Sequence, residues 1–363
     1  MGTFVLHQRA YYHCTACHAG HCPADDAFGL GASDLTPGAE QLAVLFGTTA
    51  SFAEAAKRLL PKASGLRLAE STVERATEAA GDRLGKALAD GKTFGVAADW
   101  AWPLDAAGRS VAYVSIDATG VPIQVPGGVE VEGRMAWVGK VFAPRPEVKP
   151  DRATARPAAE GHARYLAGLT GLDELAEPLR RQAAQVGMDR AQQWVALSDC
   201  GSGVDDFLRV NFPRAVRIAD FYHVAEHLGD LAKAWHPGDP DAARSLCDEW
   251  CHTLKHEGGP AILKTLEGLD RSGRSESALE VDRQVRQYIG NHMDRMDYPR
   301  YVAAGWQIGS GHIEAACKTV VNERMKRSGM RWGEDGADAV CHLRALFKGD
   351  ADQWDAFWAC SIN

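Results

Sequence analysis

Two aspartates follow stretches of sequence that are typical of buried β-strands. Asp117 ends the segment AYVSID and precedes Ala-Thr-Gly, while Asp199 ends WVALSD and precedes Cys-Gly-Ser-Gly. A carboxylate at the end of a buried strand is costly unless it is paired, hydrogen-bonded or bound to a cation. Two such oxygen donors on neighbouring strands could chelate Mg²⁺, which prefers oxygen ligands. An Asx turn or a helix N-cap is the ordinary explanation for either aspartate taken alone.

A third carboxylate, Glu314, lies near the start of the segment GSGHIEAACKTVV. Glu314 lies beside an apolar stripe with helical spacing, where it can reach a site at the edge of the core. The residues of this stripe are Ile313, Ala316, Cys317, Val320 and Val321. A surface ion pair with Lys318, four residues on, is the alternative. The following stretch is the most basic of the chain, and with Lys318 it supplies candidates for contacting a phosphate backbone: Arg324, Lys326 and Arg327.

Two further patterns contain metal-ligating residue types. Cys14 and Cys17 form a CxxC pair within a segment rich in Cys and His, which predicts either part of a zinc site or free thiols near an exposed N-terminus. His223 and His227, in the string HVAEH, share one helix face and could hold Zn²⁺ with Glu226 as a base, as in inverted zinc peptidases. Short patterns of this kind also arise by chance.

Helical and strand-like segments alternate in a way that predicts an α/β protein with a mixed sheet. Residues 37–88 are predicted to be helical, with Ser51 as an N-cap and a break at 61–65. This suits a helix-turn-helix DNA reader or any small helical bundle. Helices are also predicted at 158–186 and, with breaks, from about 221 to the C-terminus. Strands are predicted at 94–98, 112–117, 121–125, 135–142, 194–198 and 215–219.

The overall composition is that of an ordinary globular protein. The chain of 363 residues is 45% hydrophobic and 24% charged, with a formal net charge of −8. That charge argues weakly against a nucleic-acid partner, but local charge distribution matters more than the sum. No apolar run approaches the roughly 18 residues of a membrane span, and no signal segment is evident. The nine cysteines favour reduced thiols, so a cytoplasmic protein without membrane contact is expected.

Longer blocks of the sequence resemble the ISKra-type insertion-sequence transposases of bacteria. The blocks are SIDATGVPI, WVGKVF, LSDCGSG, IADFYHVAEHL, IGSGHIEAACKTVVNERMKRSGMRW and GADAVCHLRAL. The resemblance covers nearly all of the chain from about Arg9. It departs from the family in two places: only the distal knuckle of an N-terminal zinc ribbon is present, and SDCGSG replaces the more usual GDGA-like turn.

The resemblance implies an RNase H-like core with a DDE triad, which falls on Asp117, Asp199 and Glu314. It implies that these carboxylates bind two Mg²⁺ or Mn²⁺ ions for cleavage and joining of double-stranded DNA at the ends of the element. Asp220 and His223 resemble a C/DxxH signature whose implied role is to order the site or contact DNA. No role is predicted for His227. A homo-oligomer assembled on DNA is also implied.

The predicted organisation has four parts. A partial zinc-ribbon-like segment occupies 1–35, and a helical DNA-binding head occupies 36–92. An RNase H-like catalytic domain spans 93–348, with a helical insertion at about 224–303, and a C-terminal helix occupies 349–363. The main alternative function is that of a truncated, transposition-inactive copy that only binds DNA.

Overall fold

The computed structural model describes residues 8–27, 30, 35–125, 127, 131–144, 161–309 and 311–361. The helices that precede residue 193 are α1 (Pro23–Ala27), α2 (Pro37–Thr49), α3 (Phe52–Glu54), α4 (Leu60–Ser64), α5 (Glu70–Ala89) and α6 (Ala176–Gln185). Those after it are α7 (Val204–Asn211), α8 (Phe221–Trp235), α9 (Pro240–Glu257), α10 (Gly259–Glu267), α11 (Glu276–His292), α12 (Tyr298–Ala303), α13 (Gly311–Ala316), α14 (Glu323–Met325), α15 (Glu334–Lys348) and α16 (Ala351–Ser361).

Short segments of other helix types join several of these helices. The π-helical segments are Ala55–Leu59 and Cys317–Asn322, and the 3₁₀ segments are Leu172–Leu175, Met188–Arg190 and Met293–Arg295. None of the helices in the described ranges is both long and apolar enough to cross a membrane.

The centre of the fold is a mixed five-stranded sheet. A hairpin of two strands with two residues each, β1 (Tyr12–His13) and β2 (Gly20–His21), precedes this sheet in the chain. The strands of the main sheet are β3 (Val111–Gln124), β4 (Val131–Ala143), β5 (His162–Gly168), β6 (Gln193–Ser198) and β7 (Ala215–Ala219), in the spatial order β5-β4-β3-β6-β7. The β3–β4 and β4–β5 pairs are antiparallel, and β6 runs parallel to both β3 and β7. The predicted α/β class with a mixed sheet is confirmed.

The strand that contains Asp117 is longer than the sequence predicts. Two strands were expected at 112–117 and 121–125, but β3 runs without interruption from Val111 to Gln124. Asp117 therefore lies inside a strand, opposite Val138 of β4, and not at a strand end. The residues Ala-Thr-Gly suggest a turn locally, but continuous pairing with β4 overrides that preference.

Two other secondary-structure predictions are wrong. Residues 162–168 fall within the stretch 158–186 that was expected to be helical, yet they form the edge strand β5 against β4. Residues 94–98 were expected to form a strand but do not. Their backbone is held by side chains instead: Arg164 donates to the Val96 carbonyl at 3.0 Å and Gln185 to the Gly95 carbonyl at 2.8 Å.

The two faces of the sheet are covered by different helices. Alternate residues of β3, such as Val114 and Ile116, face a core shared with the N-terminal helices and α6. Residues of the opposite face, such as Val111 and Tyr113, pack against α8 to α12. The far end of that same face, at Val121 and beyond, packs against α13 to α15. Because side chains alternate along a strand, Asp117 belongs to the second face, between these two helical groups.

The predicted helical head packs directly on the rest of the protein. The Ser51 hydroxyl caps α3 by accepting from the Glu54 amide, as the sequence predicts. Helix α5 begins at Glu70 and lies against α15 so closely that a Cβ on Gly81 would be 2.3 Å from the Ala339 carbonyl oxygen. The break falls at Gly65, since Pro61 lies in the first turn of α4.

Arg324 connects the N-terminal helices to the C-terminal part of the chain. It is only 1% exposed, and its Nε donates to the Gly47 carbonyl at 3.0 Å. Its guanidinium lies 4.7 Å from the centre of the Phe52 ring and 4.8 Å from that of Trp332. Such a stacked and hydrogen-bonded arginine contributes through both packing and charge.

Replacing Arg324 with Ala is expected to lower the free energy of unfolding by about 2–4 kcal/mol, because the change removes the stacked cation and leaves a buried carbonyl unsatisfied. Urea titration followed by fluorescence measures this change. Arg331→Ala, on an exposed residue of the same region, is the control and should stay within about 0.5 kcal/mol of the wild-type protein. Equal effects of the two substitutions would contradict the assigned role.

Candidate active site

Asp117 on β3 and Asp199, just after the adjacent parallel strand β6, lie close enough for the charge of Asp199 to act on Asp117. Asp199 directly follows β6, whose residues pair with β3 up to Ser115. Burial raises the pKa of Asp117, and the negative charge of Asp199 raises it further. Hydrogen bonds from the Ala118 amide and the Cys317 thiol, and the nearby His223, act in the opposite direction. The structure thus brings the two predicted aspartates together as one acidic pair.

The turn after Asp199 holds its carboxylate in place. Asp199 Oδ1 accepts from the Gly201 amide at 2.8 Å, which is the Asx-type bond expected of an aspartate before such a turn. Cys200 adopts a left-handed conformation with φ of 64°, which is unusual for a residue other than Gly, Asn or Asp. Strained backbone of this kind is concentrated at functional sites. Cys200 stands at the position where the segment SDCGSG differs from the GDGA-like turn.

The helix that carries Glu314 lies directly over Asp117. Cys317, three residues after Glu314, donates its thiol hydrogen to Asp117 Oδ2 at 3.4 Å. Burial raises the pKa of Cys317, as does the charge of Asp117, so the thiol remains a protonated donor. The π-helical segment Cys317–Asn322 begins at this contact, and π-helical turns within helices are frequent at functional sites. Sequence reasoning placed Cys317 only in an apolar stripe and missed this contact.

Glu314 is exposed and lies one helical turn before Cys317 on α13. Within the described ranges, no three His, Cys, Asp or Glu side chains are close enough together to hold a metal ion. Glu314 therefore does not complete a ligand set with the two aspartates in this conformation. The aspartate pair nevertheless fits a hard divalent cation. It presents carboxylate oxygens from two strands, and the like charges that raise the pKa of Asp117 would be offset by such an ion.

The residues of the DxxH pattern lie next to the aspartates. Asp220 is fully buried and caps α8 by accepting from the Tyr222 amide at 2.9 Å, while its own amide donates to the Ser198 carbonyl. His223 is close enough to Asp117 to lower the pKa of that carboxyl. The role implied for these two residues, to order the site or to contact DNA, stays a prediction.

The His223 and His227 rings belong to an aromatic cluster between α8 and α11. Their ring centres are 4.7 Å apart, and the His227 ring lies 4.4 Å from that of Tyr288. Burial lowers the pKa of His227, with a smaller contribution from His223. The Glu226 side chain is 77% exposed, and its Oε2 lies 3.6 Å from His223 Nδ1. This packing explains the spacing of the two histidines without a zinc peptidase site.

Two tyrosines of the helical insertion hold the strand ends that carry the acidic residues. The Tyr288 hydroxyl donates to the Asp199 carbonyl oxygen, and the Tyr298 hydroxyl donates to the Ala219 carbonyl oxygen, each at 2.9 Å. Sequence reasoning missed both, because an aromatic residue in a helix carries no signal of the carbonyl it will reach.

Replacing Tyr288 with Phe is expected to lower the free energy of unfolding by about 1 kcal/mol, since one hydrogen bond to a backbone carbonyl is lost. The amide of Gly201 should also exchange its hydrogen faster, because the turn that it closes loses its anchor. Thermal unfolding and hydrogen exchange measure the two effects. Tyr12→Phe, on an exposed residue, serves as the control. Unchanged exchange at Gly201 would contradict the anchoring role.

The predicted phosphate-binding residues have different environments. Lys326 donates to Thr119 Oγ1 at 2.7 Å, and Thr119 in turn donates to Asn322 Oδ1 at 3.0 Å, so a cation lies two residues from Asp117 along β3. Arg327 and Lys318 are exposed, and Arg327 makes an ion pair with Glu54. Arg324 is buried by its contacts with the head, which favours a structural role over contact with DNA.

Cys14 and Cys17 lie between the two strands of the β1–β2 hairpin. Both cysteines are exposed free thiols. Hydrogen bonding from Cys17 lowers the pKa of Cys14, which favours the thiolate that a metal would bind. The two cysteines are not joined by further ligands into a metal-binding group among the described residues.

No protein-family model matches the chain, and no curated protein matches it.

Proposed function

We propose that this chain is a DNA transposase of the ISKra type, which cleaves and joins DNA strands at the ends of an insertion sequence with Asp117, Asp199 and Glu314. The observation that carries the proposal is the closeness of the two aspartates at adjacent strands, where Asp117 accepts a hydrogen bond from Cys317, three residues after Glu314. The three residues come from distant parts of the chain, and the resemblance assigns all three to one triad.

The architecture supports the same proposal. A sheet with an antiparallel β3–β4–β5 meander followed by two parallel strands is compatible with an RNase H-like core. Helices α8 to α12 occupy the interval between Asp199 and Glu314, where the resemblance implies a helical insertion. The double-stranded DNA substrate and assembly of a homo-oligomer on DNA belong to the proposal.

The acidic pair and its neighbours define what the chain itself would do in the reaction. Asp117 and Asp199 would hold Mg²⁺ or Mn²⁺, with Glu314 joining them after a shift from its exposed position on α13. Such ions would supply activation of the attacking oxygen and stabilisation of the leaving oxygen in phosphoryl transfer. Lys326 would place positive charge beside the phosphate, and Lys318 and Arg327 would contact the backbone farther along the strand. His223 and the Tyr288 anchor would keep the two aspartates oriented.

The proposal is tested by incubating the full chain with DNA that carries the ends of the flanking element, in Mg²⁺ or Mn²⁺. Nicking or joining that requires the metal and the element ends is the expected result. Binding without any strand cleavage, in a folded protein, would instead support the alternative of a copy that only binds DNA. If the folded protein neither binds nor cleaves this DNA, both the transposase proposal and its DNA-binding alternative are overturned.

A further inference from the structure

A lysine is buried in the sheet beside the start of the Glu314 helix. Lys140 on β4 is only 6% exposed, and burial lowers its pKa to about 8. It lies opposite Ser115 of β3, so its side chain occupies the same face of the sheet as Asp117. None of the ion pairs between described residues includes Lys140. Burial of an ammonium group is costly unless other groups compensate for its lost hydration.

The contacts of Lys140 converge on the first turn of α13. Its Nζ donates to the His312 carbonyl oxygen at 3.2 Å. The same Nζ lies 4.6 Å from the centre of the Phe142 ring and 5.3 Å from that of Tyr165. The His312 ring itself packs on Phe142, with ring centres 5.3 Å apart. Lys140 and Phe142 thus hold one residue of α13 through its backbone and its side chain.

Helix α13 forms the first turns of a longer helical stretch, since the π-helical segment Cys317–Asn322 and α14 follow it without a break. Helix ends fray, and the first residue of α13 is Gly311, which loses more conformational freedom on ordering than other residues do. This end of the stretch therefore gains most from an anchor. Its apolar residues Ile313 and Ala316 pack on the sheet, and the backbone of the same turn carries the exposed Glu314.

We infer that Lys140 is a positioning residue that fixes the first turn of α13 on the sheet and thereby sets where the backbone of Glu314 lies relative to the aspartate pair. The role rests on the proposed function for its catalytic consequence, but the structural part stands on the contacts alone. A neutral amine also donates to a carbonyl, so the anchor does not require a particular protonation state.

The test replaces Lys140 with Met, which keeps the unbranched shape and removes the donor and the charge. Hydrogen exchange of the α13 amides is expected to become at least about 10-fold faster, while the unfolding temperature stays equal to or above that of the wild type. In the strand-cleavage assay, kcat should fall at least about 10-fold with the affinity for DNA within about twofold. Lys233→Met, at an exposed position of α8, is the matched control and should change neither exchange nor rate.

Two further variants keep the inference falsifiable. Phe142→Leu removes the ring beneath both Lys140 and His312 and should loosen α13 in the same way, even if Lys140→Met does not fold. Lys140→Arg keeps a cationic donor and should restore protection of the α13 amides. Unchanged exchange in α13 in either loosening variant would overturn the inference. If the wild-type protein cleaves no DNA, the proposed function fails, but the exchange measurement still decides the role of Lys140.

Discussion

Replacing Asp117 or Asp199 with Asn, or Glu314 with Gln, is expected to reduce metal-dependent strand cleavage and joining by at least about 100-fold. Each substitution keeps the shape of the side chain but removes the negative charge that a divalent cation requires. The two aspartates already share one electrostatic environment, because the charge of Asp199 raises the pKa of Asp117. Glu314 is included because it lies three residues before Cys317, whose thiol contacts Asp117.

The measurement is a time course of nicked and joined DNA, with each variant checked for folding by circular dichroism. Asp230→Asn and Glu257→Gln are matched controls, since both residues are exposed and lie on the helical insertion. The controls should retain the wild-type rate. A folded Glu314→Gln variant with wild-type rates would show that Glu314 does not belong to the site, and the proposed triad would then be wrong.

A second large effect is expected on stability, and it depends on metal. Folding raises the pKa of Asp117, so between the ordinary Asp value of about 4 and its folded value the native state binds more protons than the unfolded state. Stability therefore falls as the pH rises through that window, and the loss persists at higher pH. Asp117→Asn, which is neutral at every pH, should unfold at a higher temperature than the wild type at pH 7 in EDTA. The advantage should disappear near pH 4.

Divalent cations should reverse this order. At a free Mn²⁺ concentration of about 100 times Kd, the wild type should gain about 2.7 kcal/mol, whereas Asp117→Asn should gain almost nothing. Each kcal/mol corresponds to a shift of about 2–4 °C in a protein domain of 150–250 residues. Thermal scans of the wild type and of Asp117→Asn, each with EDTA and with Mn²⁺ at several pH values, give the unfolding temperatures to be compared. Equal shifts by Mn²⁺ in both proteins would mean that the ion binds elsewhere.

The sequence alone determined the features that depend on local chemistry. The β-branched and apolar residues of 194–198 and 215–219 predict β6 and β7 closely. The Ser51 cap and the turn bond of Asp199 follow from residues only two or three positions apart. The helical repeat of Ile313, Ala316 and Val320 likewise predicts which side of the Glu314 segment is buried. In these cases the interacting groups are neighbours in the chain, so their spacing carries the information.

Only the tertiary structure decided how these elements combine into a site. The position of Asp117 within β3 depends on pairing with β4, and β5 forms although its residues favour a helix locally. Arg324 belongs to a basic stretch, yet Phe52 and Trp332 bury it. The contacts of Cys317, Tyr288 and Lys140 with the site join residues from separate elements. Strand register and helix packing set these contacts through many weak interactions distributed over the whole chain, and no local pattern records their sum.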